Sequence, residues 1–230
     1  GLDILIKDQH GGDVDTILNV RQIGEDPKMT YKSKQNRVNY ENRGQYDNAA
    51  YHSDSRYSKI TNAARKEFNE KGTKIADSYV RGNEIIPRRN NTIPREKQAE
   101  LDHVVSAKEI HEDRGRVLAR IDGKDLANSP DNLRYTNAAL NNNMRDKSAK
   151  EYIKWCEQNP DKVNWCGKKG EPLPEEVKAK LLSEYNRAKG AYDAKLRRTY
   201  YTSVAFRRDL AYAATNVSLR MGVRQALGFV

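Results

Sequence analysis

From Pro174 onward the chain commits to one long helix. Pro suits the first helical position, and Glu175 and Glu176 put negative charge at the positive end of the helix dipole. Val177, Leu181, Tyr185, Ala188, Tyr192 and Leu196 then recur at spacings of three and four, which places them all on one face. A helix with one apolar face must bury it against other elements. Ala149 to Gln158 reads as a second helix, stopped by Asn159-Pro160, and a third from about Thr202 sets Phe206, Leu210, Ala213 and Val217 at the same spacing. Arg207, Arg208, Arg220 and Arg224 occupy other positions around that last helix, as a solvated face or as phosphate contacts.

The remainder is less apolar and separates by composition. Residues 1–98 form a basic, Tyr- and Asn-rich N-terminal region. It opens on Leu2-Asp3-Ile4-Leu5-Ile6, where a short strand and a short helix are both admissible. Tyr31, Tyr40, Tyr46, Tyr51 and Tyr57 follow among Lys, Arg and Asn. Such a mixture fits a surface that stacks bases and tracks phosphates, and equally a polar loop whose tyrosines pack on neighbouring helices. Ile60 to Lys71 reads as a helix stopped by Gly72, and Pro87 and Pro94 bracket an extended stretch that contains Arg88 and Arg89. Residues 99–150 read as strand, long loop, strand and helix: Leu101 to Val105, then Leu133 to Thr136, then Ala138 onward. With 151–230 helical, the fold expected is α+β, mostly helical.

Net charge narrows the partners. The formal charge is +10 and the pI about 9.5, and Lys and Arg in such excess neutralise phosphates and release condensed counterions. No run of about 18 apolar residues is present, so no membrane span is expected. No basic stretch followed by an apolar one opens the chain, which reads against a secretory signal, while the opening Gly1 in place of Met suggests a processed or trimmed chain. Cys156 and Cys166 form no CxxC pair, so no zinc site is read and reduced thiols in a cytoplasmic protein are expected.

The chemistry concentrates in Glu100-Leu101-Asp102-His103-Val104 and in Pro130-Asp131-Asn132-Leu133-Arg134-Tyr135-Thr136, followed by Asn141. Side chains alternate along a strand, so Asp102 and His103 serve one site only at a bend or at the strand's end. The combination resembles the HNH nuclease superfamily. Its ββα-metal motif carries Asp-His on the first strand and Asn-Leu opening the second, with a third polar ligand nine residues later on the helix; here 141 − 132 = 9. The likeness is greatest to members whose third ligand is Asn, including the HNH domain of CRISPR RNA-guided nucleases. Those also carry a Thr like Thr136 and a basic, Asn-rich helix like Asn141-Asn142-Asn143-Met144-Arg145-Asp146-Lys147. One departure is the 29-residue separation of His103 and Asn132 (132 − 103), which makes 107–129 an elaborated loop with its own short helix near Lys108 to Ile121. His111, inside that loop, is expected to be solvated.

The resemblance implies a small ββα-metal core and a metal-dependent endonuclease that hydrolyses phosphodiester bonds in nucleic acid, DNA foremost, by nicking or double-strand cleavage. His103 is then the general base, and Asn132 holds its other ring nitrogen through a carbonyl oxygen, as a triad's third member does. Asp102 and Asn141 supply hard oxygen ligands to Mg²⁺, with Mn²⁺ as a substitute. Arg145, Lys147, Arg88 and Arg89 contact phosphate or nucleic acid. Two alternatives use the same residues: a non-catalytic nucleic-acid-binding module, or a helical assembly protein with a vestigial site.

Overall fold

The computed structural model describes residues 5–7, 13–15, 43–88, 90–118 and 120–201. In chain order the strands are β1 Leu5–Lys7, β2 Asp13–Asp15, β3 Ile75–Ala76, β4 Glu84–Ile85, β5 Ala99–His103 and β6 Leu133–Asn137. The helices are α1 Asn48–His52, α2 Ser55–Lys71, α3 Ala107–Glu112, α4 Arg114–Leu118, α5 Gly123–Ala127, α6 Ala138–Met144, α7 Ala149–Gln158 and α8 Glu175–Tyr201. Helix predominates over three two-stranded antiparallel sheets, which makes the fold α+β and mostly helical. No helix among the described residues is long and apolar enough to cross a membrane.

The chain divides into two compact units. One gathers Gly1–Tyr46, His111–Gly123 and Asp193–Val230, and the other Asp47–Ile110 and Lys124–Tyr192. Both therefore draw on residues before 98 and after 150, cutting across the three compositional regions. In the first unit β1 pairs with β2, Ile6 opposite Val14. The loop expected to hold one short helix makes several instead, because Asp113 ends α3 and starts α4, its carboxylate accepting from the Gly115 amide at 3.1 Å. Here the expectation for His111 fails. It is buried, its Nε2 lies 3.0 Å from the Gly44 carbonyl, and its ring stands 5.6 Å from that of Tyr46. Arg116 is buried beside it and donates to the carbonyls of Ile121, at 2.7 Å, and His111.

In the second unit the stretches Ala99–His103, Leu133–Asn137 and Ala138–Met144 fold as strand, strand and helix. β5 pairs antiparallel with β6, His103 opposite Leu133 and Ala99 opposite Asn137. α6 follows at once because Asn137 caps it, accepting from the Leu140 amide at 2.9 Å. The short β3–β4 hairpin is tied to the end of β6 by the buried carboxylate of Asp77. That carboxylate accepts from Thr136 Oγ1 at 2.8 Å, Asn137 Nδ2 at 2.8 Å and Asn83 Nδ2 at 3.0 Å. A buried charge with this many donors is compensated by hydrogen bonds rather than by a counter-ion.

α2 starts earlier than the apolar pattern showed, because Asp54 caps it and accepts from the Arg56 amide at 3.0 Å. It ends as expected at Gly72, whose φ of 69° is left-handed and suits a residue without Cβ. α7 carries a full capping box between Ser148 and Glu151. α8 buries Val177, Leu181, Ala188 and Tyr192, and half-buries Tyr185. Val177 and Leu181 join Leu140, Met144, Tyr152, Cys156 and Tyr79 in one core. Leu196, in the other unit, is fully buried as well. Of the tyrosines with two open readings, Tyr51 is buried and Tyr57 is half-buried with its hydroxyl on the Leu101 carbonyl at 2.8 Å. These two pack. Tyr31, Tyr40, Arg89 and the helix from Thr202 with its arginines lie outside the described residues.

Candidate functional site

Strand β5 presents Leu101 and His103 on its buried face and Glu100 and Asp102 on a half-buried one. His103 is the last residue of the strand, still paired in register with Leu133 and on the face opposite Asp102. Asp102 and His103 both contribute to the lining of one small pocket, together with Tyr79, Arg145, Lys147 and Tyr185. Asn141 is not in that lining. It meets the strand one alternation away, at Glu100.

The imidazole of His103 is held on every side. The Tyr57 ring stacks on it at 5.3 Å and 24°, and the His52 ring meets it edge-on at 5.1 Å. Its Nε2 lies 2.7 Å from Asn128 Oδ1. The amide of Asn128 is itself fixed, because Nδ2 donates to the Tyr51 carbonyl at 3.1 Å and a carbonyl can only accept. Its oxygen therefore faces His103, Nε2 carries the proton, and Nδ1 keeps its lone pair. Burial pushes the ring's pKa down to about 4, opposed by the Asn128 hydrogen bond and helped by neighbouring His52. The neutral ring is the form present at pH 7.

Asn132 does a different job from the one its spacing implied. Its Oδ1 accepts from the Val105 amide at 2.8 Å, and its Nδ2 donates to the carbonyls of Val105 at 2.9 Å and Ala127 at 3.0 Å. All three of these bonds go to backbone, and the hydrogen bond on the His103 ring comes from Asn128 instead. Asn132 clamps the two ends of the 105–127 excursion, which brings Asn128 to the ring. Asn128 opens the polar Asn128-Ser129-Pro130-Asp131-Asn132 stretch, and no spacing rule marks it out.

Asp102 and Asn141 are each gripped at one atom. Tyr79 donates its hydroxyl to Asp102 Oδ2 at 2.8 Å. Tyr79 is buried, and burial and the adjoining Asp102 carboxylate hold its phenol well above its usual range, so it stays a donor. Burial pushes the Asp102 carboxyl up to about 6, against the Tyr79 hydrogen bond and with the nearby Glu100 charge. Asn141 Nδ2 donates to Glu100 Oε2 at 2.8 Å, and Asn142 Nδ2 donates to the same oxygen at 3.0 Å. Among the described residues no donor reaches Asp102 Oδ1 or Asn141 Oδ1. Both are hard oxygens of the kind that Mg²⁺ takes, one in the pocket lining and one outside it. No group of three His, Cys, Asp or Glu side chains arranged to hold a metal occurs among the described residues. A set of one carboxylate and one amide oxygen contains no such group.

Cations stand at the same pocket. Arg145 is exposed, and Lys147 lies 5.0 Å over the Trp155 ring. Arg88 is exposed on the segment after β4, outside the pocket lining. Glu100, Tyr79 and Asn128 were not singled out by sequence reasoning. Strand alternation from Asp102 points to Glu100, whereas nothing in the order of residues points to Tyr79. Comparisons with protein-family models, curated proteins and solved structures each return no match.

Proposed function

We propose that the chain is a metal-dependent endonuclease of the HNH type, with Mg²⁺ as its ion, Mn²⁺ as a substitute and DNA as its foremost substrate. The observation that carries the reading is the pocket that joins a neutral, single-tautomer His103 to Asp102 and to two cations at the end of a strand–strand–helix unit. His103 and Asp102 contribute to that lining with Arg145 and Lys147, and a general base for water needs a neutral imidazole such as this one.

His103 Nδ1 takes the proton of the attacking water, and Asn128 Oδ1 accepts the hydrogen bond from Nε2–H and steadies the imidazolium that forms. An incoming phosphate raises the ring's pKa from its buried value, because a nearby negative charge favours the protonated form. Arg145 and Lys147 bind the non-bridging oxygens and stabilise the charge that builds on them. Asp102 and Asn141 would hold the divalent ion, which when bound stabilises the pentacovalent phosphorus and the departing oxygen. Asn132 keeps its place in the site as the clamp that positions Asn128. The net charge of +10 supplies the long-range attraction to a polyanion.

The test is incubation of the protein with supercoiled plasmid, linear duplex, single-stranded DNA and RNA, with Mg²⁺, with Mn²⁺ and with EDTA. Conversion of plasmid to nicked or linear form with metal alone is the expected result. Binding without cleavage in every metal condition sinks the enzyme reading in favour of a binding module.

A further inference from the structure

We infer that Glu100 is a positioning residue that decides which end of the Asn141 amide faces the metal, an inference that rests on the nuclease reading above. An Asn side chain ligates a hard cation only through its oxygen, yet the amide is nearly symmetric in shape and can present either end. Nothing in the residue itself selects the ligating face. Glu100 does, because an ionised carboxylate only accepts, so the end of Asn141 that meets it must be the NH₂. Asn142 donates to the same Glu100 oxygen and helps hold that carboxylate in place, while its own Nδ2 is also bound to the Ala138 carbonyl at 2.6 Å.

The arrangement parallels that at Asp102, where Tyr79 occupies Oδ2 and leaves Oδ1. It also uses the strand: Glu100 and Asp102 are two residues apart on one face of β5, so one rigid element carries a ligand and the residue that orients the other ligand. Partners of this kind, acting on a ligand rather than on the ion, typically carry ~10–100-fold of metal affinity. Glu100 acts through hydrogen-bond direction and not through its charge, and the two can be separated.

Mn²⁺ affinity, read by electron paramagnetic resonance on the full chain without nucleic acid, is measured for Glu100→Gln, Glu100→Ala, Asn141→Asp and the double variant Glu100→Ala/Asn141→Asp, with melting temperature recorded for each. Glu100→Gln offers a neutral carbonyl oxygen to the same NH₂, so it should keep affinity within about threefold, whereas Glu100→Ala should lose ~10–100-fold. A carboxylate at 141 has two equivalent oxygens and needs no orienting partner. The Glu100→Ala penalty should therefore vanish in the Asn141→Asp background. Equal losses in Glu100→Gln and Glu100→Ala, or an undiminished penalty beside Asn141→Asp, overturn the inference and make Glu100 a charge or a ligand. Asp102→Ala is the control for the underlying reading: unchanged Mn²⁺ affinity there overturns the nuclease assignment itself, and the Glu100 inference with it.

Discussion

Helix α8 and the β5–β6–α6 segment are stabilised by opposite means. α8 buries a periodic apolar stripe, and its polar residues mostly face outward. The site segment buries amides instead: Asn128, Asn132 and Asn137 are all within 3% of full burial. Each buried amide is fixed by named partners, Asn128 by Tyr51 and His103, Asn132 by Val105 and Ala127, Asn137 by Asp77 and the Leu140 amide. Apolar burial is non-directional and tolerates repacking, whereas a buried amide specifies geometry and is costly when a partner is lost. The site segment therefore gains direction at the expense of tolerance, which is what positioned chemistry needs.

The comparison is broken most forcefully at His103. If the segment exists to place a base, His103→Ala should reduce plasmid nicking by ~10²–10⁴ while the salt-dependent affinity for DNA stays near wild type. The ring is packed and partnered, so some stability is lost as well, and rates should be taken well below the variant's melting temperature. Nicking at the wild-type rate would make the segment a structural amide network and nothing more.

Stability sharpens the same contrast. Leu181→Ala in α8 should cost ~2–5 kcal/mol, the ordinary range for a buried leucine. Asn132→Ala removes three hydrogen bonds and strands buried backbone groups at ~1–3 kcal/mol apiece, so it should cost at least as much despite removing fewer atoms. Urea denaturation of both decides this. A loss below about 1 kcal/mol in Asn132→Ala would mean that water replaces the clamp and that the loop is not held as described.

This contrast also explains what could be read in advance. The α8 stripe, the Gly72 stop and the strand–strand–helix order all follow from period and punctuation, which are properties of neighbouring residues. The pairing of Asp102 with His103 was legible because a motif of fixed spacing carries it. Asn128 in place of Asn132, and Tyr79 on Asp102, were not, because they depend on where a 25-residue excursion and a distant hairpin return the chain. His111 was misjudged for the same reason: its cover comes from Gly44 and Tyr46, 67 positions away at the carbonyl.

Protonation gives a third test, in metal-free buffer. His103 titrates near 4 in the folded protein against about 6.5 unfolded, so its contribution is present above pH 6.5 and is lost as pH falls toward 4. Asp102 titrates near 6 folded against about 3.8 unfolded, so its contribution grows as pH falls through the same window and is lost as pH rises through 6. Each amounts to about 3 kcal/mol, and the two nearly cancel. Asp102→Asn removes the compensation. Relative to wild type it should lose about 3 kcal/mol between pH 7 and pH 4, whereas His103→Gln should gain a similar amount. Urea midpoints at pH 7, 5.5 and 4 report it, and parallel curves for all three proteins would show that the pair does not titrate in opposition.

The smallest effect expected on stability is at Arg145, where backbone and side chain pull against each other. Its φ of 54° with ψ of −124° is a conformation suited to Gly, and Arg adopts it at the turn that follows α6. The turn is closed on both sides, by the Arg145 amide on the Asn141 carbonyl at 3.1 Å and by the Lys147 amide on the Met144 carbonyl at 3.2 Å. Holding a residue with a Cβ there costs ~1–3 kcal/mol, and glycine gives back ~0.5–1 kcal/mol of that through its freer unfolded chain. Arg145→Gly should therefore raise stability by about 1 kcal/mol, or the melting temperature by ~2–4 °C. It should also lower nicking by ~10²-fold or more, because the guanidinium at the pocket is lost. Arg145→Ala separates the two causes: it keeps the strained backbone, so it should lose the same activity with no gain in stability. An Arg145→Gly variant that is both more stable and fully active would show that the strain serves no chemistry. One that is less stable would show that the Arg side chain, and not the turn, holds this corner of the segment together.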